Sequence, residues 1–112
     1  MASDVAVIAG AGAGLSASLA RLLTQEGFRV ILAARNFEKL SALTDETGAL
    51  AVETDVADVA SVASLFDTAD KAGPLALAVF NASARTRGPI AELDAEAVKQ
   101  ALLVGAYGGF LV

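Results

Sequence analysis

Four short apolar segments alternate with segments of helical periodicity along the 112-residue chain. The apolar segments are almost uninterrupted, as in strands that are buried on both faces of a parallel sheet. They cover residues 5–9, 30–34, 50–53 and 75–80, and the helical segments between them cover residues 15–25, 37–46 and 59–72. Strands and helices that alternate with short connections require right-handed crossovers. The pattern therefore predicts an α/β fold with a doubly wound parallel sheet.

Residues that start or stop helices stand at the boundaries of these segments. The predicted N-caps are Asn36, Asp58 and Asp94, and the predicted helix ends are Gly27, Gly48 and the pair Gly73-Pro74. A fourth helix is predicted from Asp94 to the end of the chain. Its apolar part, residues 101–112, is 12 residues long, whereas a membrane span needs about 20. We interpret it as a buried helix, so no membrane partner is predicted.

Composition and charge exclude several classes of function. Thirteen acidic against eight basic residues give a net charge of −5, which disfavours a nucleic-acid partner. The chain has no Cys and no His, so disulfides, thiolate chemistry and the usual zinc ligands are excluded, and no metal site is predicted. The N-terminus lacks the basic residues of a secretory signal, which predicts a cytoplasmic protein.

The content of apolar residues bears on the size of the domain. At 55%, it is high for a chain in which surface is a large share of the whole. We therefore expect residues 1–112 to be one domain that is the N-terminal half of something longer, truncated after the fourth strand and its following helix. A partner that covers apolar surface is the alternative.

Three glycines at alternate positions, Gly10, Gly12 and Gly14, separate the first predicted strand from the first helix. Glycine allows positive φ angles and close approach to a ligand, and the helix N-terminus directs free amides to the same place. The loop therefore predicts a pyrophosphate site, with a tight turn without ligand as the alternative. A P-loop is excluded because no Lys-Ser or Lys-Thr follows the glycines.

Two dinucleotide-binding registers fit this loop. GAGLSA, from Gly12, has the form G-x-G-x-x-A, and GAGAG, from Gly10, has the form G-x-x-x-G with Leu15 and Ser16 following. We prefer the second register, in which Gly10 and Gly14 are the anchors. Ser16 is small enough to keep the helix near the sheet, and its hydroxyl is expected to add a donor beside the phosphates.

The ends of the other strands indicate which nucleotide fits. The second strand ends in AARN, without the carboxylate that would bind the ribose hydroxyls of NAD or S-adenosylmethionine. Arg35 can instead form a charged fork with a ribose 2′-phosphate, which favours NADP(H); a solvated arginine beside Glu38 is the alternative. After the third strand, Asp55 is either an acceptor for an adenine amino group or a polar residue that closes the strand. After the fourth, Asn81 is either a ligand-site residue or a turn residue.

Together these strand ends resemble the N-terminal half of the short-chain dehydrogenase/reductase superfamily, over the whole chain. AGAGAGLS, residues 9–16, is similar to the family's T-G-x-x-x-G-x-G, from which Ala9 and Ser16 depart. Asp55-Val56 matches the Asp-Val after the third strand. FNAS, residues 80–83, is similar to N-N-A-G, with Phe80 for the first Asn and a serine for the Gly.

The resemblance implies a Rossmann fold, an NAD(P)(H) cofactor, and hydride transfer between the nicotinamide and an alcohol or carbonyl. Arg35 is similar to the basic residue of NADP-preferring members. The cofactor-binding residues predicted from the loop and the motif matches are Gly10, Gly12, Gly14, Leu15, Ser16, Arg35, Asp55, Val56, Asn81, Ala82 and Ser83.

Departures from the family pattern limit the expected activity. Gly105 stands where the family has an Asn, and the family's Ser and Tyr-x-x-x-Lys do not occur here. The single tyrosine, Tyr107, has no Lys four residues later and is interpreted as a packing residue. No catalytic residue is therefore predicted, and the chain alone is expected to be inactive.

Other interpretations stay open. The alternatives to an oxidoreductase are a nucleotide-binding or regulatory module without chemistry, and an interaction domain whose fold binds no nucleotide.

Gly105 and Gly109 are expected to let another subunit approach the last helix, which predicts a homo-oligomer. Arg85 and Arg87 face either an acidic substrate or solvent, and we favour solvent.

Overall fold

A computed structural model of the chain describes residues 3–11 and 14–112. The strands are β1 (Val5–Ala9), β2 (Arg29–Ala34), β3 (Leu50–Glu53) and β4 (Leu75–Phe80). The α-helices are α1 (Leu15–Gln25), α2 (Ser41–Thr47), α3 (Val59–Ala72), α4 (Ala95–Leu102) and α5 (Gly108–Leu111). Two 3₁₀ turns cover Phe37–Leu40 and Ile90–Glu92, and a π-helical turn, Leu103–Tyr107, joins α4 to α5.

The four strands form one parallel sheet in the order β3-β2-β1-β4. The chain runs outward from β1 to β2 and β3, and α3 then carries it back to the other side of β1, where β4 pairs. This confirms the predicted doubly wound α/β sheet. The strand order reverses between β1 and β4, and ligands of open α/β sheets bind at the carboxyl ends of the strands beside such a reversal.

Helices cover the two faces of the sheet, and alternate residues of β1 point to each face. Ala6 and Ile8 are buried against α1 and α2, in one apolar cluster with Leu23 and other residues. Val5 and Val7 are buried on the opposite face, in a second cluster with Leu65 of α3. All five residues of β1 are fully buried, which is why this strand is an uninterrupted apolar run.

Capping residues explain why several predicted boundaries agree with the structure. The Asp58 carboxylate accepts from the backbone N–H of Ser61 at 3.0 Å and begins α3, and that of Asp94 accepts from Ala97 N–H at 2.9 Å and begins α4. Gly48 ends α2 with a φ of 73°. These three predicted caps are confirmed.

Two predicted helices are interrupted. Residues 37–46 do not form one helix but a 3₁₀ turn followed by α2. Asn36 is the N-cap residue of the 3₁₀ turn, as predicted, but its side chain makes no capping hydrogen bond. The predicted last helix contains the π-helical turn, in which the hydrogen-bond spacing is wider than in an α-helix.

The apolar segment 101–112 is not the buried helix that its composition predicts. Only Gly108 is buried among these residues, whereas Phe110 is 82% exposed and Leu102 is 62% exposed. The segment packs on the rest of the chain through Gly108, beside Val56, and Gly109, beside the Phe80 ring. No helix in the described part of the chain has both the length and the apolar character that crossing a membrane requires.

We expect Asp58→Ala to lower the free energy of unfolding by about 0.5–2 kcal/mol, because the first turn of α3 loses the acceptor of the Ser61 amide. Chemical denaturation of the protein at its natural length measures this change. Asp67→Ala is the matched control, since Asp67 is an exposed residue in the middle of the same helix. Equal losses for the two variants would contradict the capping role.

Candidate functional site

A cleft of about 260 Å³ opens at the carboxyl edge of the sheet, where the strand order reverses. Residues that end or follow all four strands line it, together with one residue of the π-helical turn. They are Gly10, Ala11, Ala33, Ala34, Arg35, Thr54, Val56, Asn81, Ala82, Ser83 and Val104. The structure therefore brings together most of the strand ends that the sequence singles out.

Backbone hydrogen bonds hold the strand ends in place around the cleft. The N–H groups of Gly10 and Ala11 both donate to the carbonyl of Ala33, at 2.9 and 3.0 Å. The N–H of Asn81 donates to the carbonyl of Ala9 at 2.8 Å. These bonds extend the sheet pairing past the last residue of β1, so the glycine loop leaves the sheet in a fixed direction.

Gly10 lies where no other residue fits. Its φ is +87°, a conformation that side chains disfavour. A Cβ at this position would overlap the backbone N and Cα of Ala82 and would lie 2.6 Å from the carbonyl carbon of Asn81. Gly10 thus packs directly on the backbone that follows β4, and Gly10, Asn81 and Ala82 form one wall of the cleft.

Ser16 lies behind this wall and not beside the cleft. Only 2% of the residue is exposed, and its hydroxyl donates to the carbonyl of Gly10 at 3.3 Å. The side-chain amide of Asn81 donates to the Ser16 hydroxyl at 2.9 Å. The hydrogen of this hydroxyl is thus used within the protein, and a role as donor beside bound phosphates stays a prediction.

Arg35 stands at the mouth of the cleft and is exposed. It also borders a second, polar recess, which is lined by Glu53, Thr54, Asp55, Asp58 and Ser61 as well. Among the described residues the one ion pair joins Arg21 to Glu46, so Arg35 forms none with Glu38 or with the carboxylates of the recess. Its guanidinium is available to an anion.

Asp55 and Val56 are adjacent in the chain but differ in position. Val56 is buried and lines the cleft, whereas Asp55 is exposed and lines the neighbouring recess. One carboxylate oxygen of Asp55 accepts from the N–H of Ala57 at 3.0 Å, and the N–H of Asp55 donates to the Ser61 hydroxyl at 2.9 Å. Asp55 therefore shapes the turn that leads from β3 to α3.

The remaining predicted site residues are placed as follows. Gly12 lies outside the described residues. Gly14 is the N-cap of α1, and Leu15 is 72% exposed. Neither of these two lines the cleft, whereas Ala82 and Ser83 do.

Five residues that line the cleft are not among the predicted site residues, namely Ala11, Ala33, Ala34, Thr54 and Val104. Ala33 and Ala34 directly precede Arg35 at the end of β2. Ala11 and Thr54 could have been found, since they directly adjoin Gly10 and Asp55, which were singled out as strand-end residues. Val104 carries no sequence signal. It reaches the cleft only because the segment after α4 folds back over the sheet.

The last helical segment, which comprises the π-helical turn and α5 (residues 103–111), also provides contacts within the chain. A Cβ on Gly108 would lie 2.9 Å from Cγ2 of Val56, and one on Gly109 would lie 3.4 Å from the Phe80 ring, whereas one on Gly105 would meet no atom within 4 Å. Glycines 108 and 109 thus allow close packing on the chain's own sheet. The ring of Tyr107 stacks on that of Phe110 with centroids 6.4 Å apart, in keeping with a packing role.

The described residues contain no cluster of three or more His, Cys, Asp or Glu side chains that could hold a metal ion. The polar atoms around the cleft are backbone groups and the side chains of Arg35, Thr54, Asn81 and Ser83. This set suits a ligand that is recognised by its shape, by backbone hydrogen bonds and by one negative charge.

A parallel, doubly wound sheet, with a glycine loop and a cleft at the reversal of strand order, defines a Rossmann-like α/β protein. The family model of the short chain dehydrogenases matches residues 4–112, and the chain belongs to this family.

Curated relatives agree with this membership. The chain is 36% identical over 113 residues to cis-4-hydroxycyclohexanecarboxylate dehydrogenase of Sinomonas cyclohexanicum, a match that covers 96% of this chain and 45% of the relative. It is 36% identical over 100 residues to a putative ketoacyl reductase of Streptomyces coelicolor, covering 84% of this chain and 38% of the relative. The chain thus spans less than half the length of either protein.

Solved structures give the same fold. A variant of actinorhodin polyketide ketoreductase, solved with NADPH, superposes with a TM-score of 0.91 at 31% identity. The superposition covers 98% of this chain and 44% of the ketoreductase. The four-stranded sheet and its helices are therefore one part of a larger structure in that protein.

Proposed function

We propose that this chain forms the NADP(H)-binding part of an oxidoreductase that transfers a hydride between the nicotinamide and an alcohol or carbonyl substrate. The observation that carries the proposal is the cleft at the strand-order reversal with Arg35 at its mouth. Family membership and the NADPH-bound ketoreductase support it. A nucleotide-binding module without chemistry is the second candidate.

The residues of the cleft fit a dinucleotide. Gly10, which lines the cleft, and the free amides at the N-terminus of α1 would hold the pyrophosphate, because a helix N-terminus carries partial positive charge. Arg35 would bind the 2′-phosphate with its planar fork of donors. Val56 offers an apolar surface on the same side as Arg35, where the adenine ring would lie.

The bound nicotinamide would supply the hydride, and this chain's residues would bind and orient the cofactor. Asn81, Ala82 and Ser83 would face its nicotinamide half from the end of β4. The proposal gives no catalytic role to a residue of this chain. The names of two relatives, a hydroxycyclohexanecarboxylate dehydrogenase and a putative ketoacyl reductase, support the alcohol or carbonyl class of substrate. A cytoplasmic location stays a prediction from the sequence.

We expect Arg35→Asp to weaken NADPH binding by about 1.5–3 kcal/mol, the range for a charge-assisted hydrogen bond, and to leave NADH affinity unchanged or improved. The reason is that the substitution removes the cation at the mouth of the cleft and adds a group that can accept from ribose hydroxyls. Fluorescence titration of the protein at its natural length with both nucleotides measures the two dissociation constants.

Arg29→Asp is the matched control for this experiment. Arg29 is an exposed arginine that begins β2, whereas Arg35 directly follows the end of the same strand, so the two variants change net charge equally at opposite edges of the sheet. We expect Arg29→Asp to bind NADPH normally. Equal losses of NADPH and NADH affinity in Arg35→Asp would contradict the assigned role of Arg35. If the protein at its natural length converts no alcohol or carbonyl compound, the module without chemistry is favoured.

A further inference from the structure

Ser16 occupies the position at which the family pattern has its third glycine, and it forms a hydrogen bond that a glycine could not form. Its hydroxyl accepts from the side-chain amide of Asn81 at 2.9 Å, across 65 residues of sequence. The same hydroxyl donates to the carbonyl of Gly10 at 3.3 Å. One buried oxygen thus joins the first turn of α1, the carbonyl of Gly10 and the side chain of Asn81, which follows β4.

Both partners of Ser16 line the cleft, whereas Ser16 itself does not. Since only 2% of the residue is exposed, it does not reach a ligand in the cleft directly. Any effect of its hydroxyl on a ligand must therefore pass through Gly10 and Asn81. Gly10 also packs on the backbone of Asn81 and Ala82. These three residues therefore form one continuous wall of the cleft.

We propose that Ser16 is a positioning residue for the cofactor, which acts through Gly10 and Asn81. The inference rests on the proposed function, because it concerns the same cleft. The hydroxyl fixes the direction of the Gly10 carbonyl and the rotamer of Asn81 before a ligand arrives. A loop that is held in its binding conformation loses less conformational freedom when the cofactor binds, which increases affinity.

The test compares Ser16→Ala and Asn81→Ala with the unsubstituted protein at its natural length. We expect Ser16→Ala to weaken NADPH binding about fivefold, the effect of one typical hydrogen bond. Ser18→Ala is the matched control, because Ser18 is an exposed serine in the same first turns of α1. It should bind NADPH normally.

A double-variant cycle separates positioning from general stabilisation. If the hydroxyl acts through Asn81, the loss of affinity in Ser16→Ala/Asn81→Ala will be smaller than the two single losses combined, because the shared bond is removed only once. Ser16→Gly should weaken binding as Ser16→Ala does, since both lack the hydroxyl. Asn81 is exposed, so Asn81→Ala tests the bond even if a change at the buried serine prevents folding.

The outcomes distinguish this inference from the proposed function. A lower thermal midpoint of Ser16→Ala with unchanged NADPH affinity would overturn the inference and leave the proposed function intact. Additive losses in the double variant would overturn it as well. If the unsubstituted protein binds neither NADPH nor NADH, the proposed function fails, and the inference fails with it.

Discussion

Gly10→Ala is expected to lower the free energy of unfolding by about 3–4 kcal/mol and to abolish cofactor binding. The new Cβ would overlap the backbone of Ala82, and a backbone atom cannot rotate away as the end of a long side chain can. Either the glycine loop or the segment after β4 must move, and both are walls of the cleft. Chemical denaturation and NADPH titration measure the two effects.

Gly27→Ala separates backbone strain from steric overlap. Gly27 has a φ of +93°, close to the +87° of Gly10, but a Cβ on Gly27 would meet no atom within 4 Å. It also lies in the turn before β2, away from the cleft. We expect this variant to lower the free energy of unfolding by about 1–2 kcal/mol, the strain of an alanine at positive φ, and to bind NADPH normally.

The difference between the stability losses of Gly10→Ala and Gly27→Ala measures the cost of the overlap between the new Cβ and the segment after β4. Equal losses of stability would show that the contact between Gly10 and Ala82 is easily relieved. Normal NADPH affinity in Gly10→Ala would contradict the placement of the cofactor against the glycine loop.

The strands and most of the helices could be predicted because their signals are local. A strand buried on both faces is a short apolar run, and α3 begins at a residue whose side chain caps it. Gly48 and the Gly73-Pro74 pair likewise mark where α2 and α3 end. The handedness of the crossovers limits the possible topologies, but it does not by itself specify the order β3-β2-β1-β4.

Two helices could not be predicted in full because their interruptions depend on packing. Asn36 is a good capping residue by type, yet the chain after it forms a 3₁₀ turn that leads to Leu40, which is buried in the core with α1. In the last helix the π-helical turn changes the direction of the residues that follow it. Nothing in the local sequence specifies either result.

The candidate site likewise combines features that the local sequence specifies with features that depend on packing. Because the carboxyl ends of parallel strands meet at one edge of the sheet, the sequence predicted that Gly10, Arg35 and Asn81 lie together there, as they do. It could not reveal that the hydroxyl of Ser16 is turned inward, because its partner lies 65 residues later in the sequence. It also could not reveal Val104, whose position depends on how the last helical segment packs.

Gly108→Ala is expected to lower the free energy of unfolding by about 1–3 kcal/mol, the range for overpacking. The added Cβ would lie 2.9 Å from Cγ2 and 3.1 Å from the carbonyl oxygen of Val56, and the carbonyl is fixed by the turn after β3. Gly105→Ala is the matched control in the same segment. A Cβ there meets open space, so this variant should gain stability by up to about 1 kcal/mol, because alanine favours helix.

The contact between Gly108 and Val56 also links the last helical segment to the cleft. Val56 and Val104 both line the cleft, so a shift of the segment away from Val56 should widen it and weaken NADPH binding in Gly108→Ala but not in Gly105→Ala. Val56→Ala removes the methyl group at 2.9 Å, and in the double variant Gly108→Ala/Val56→Ala we expect part of the stability lost in Gly108→Ala to return. If the losses of the two single variants simply add, the contact between Gly108 and Val56 does not hold the segment in place.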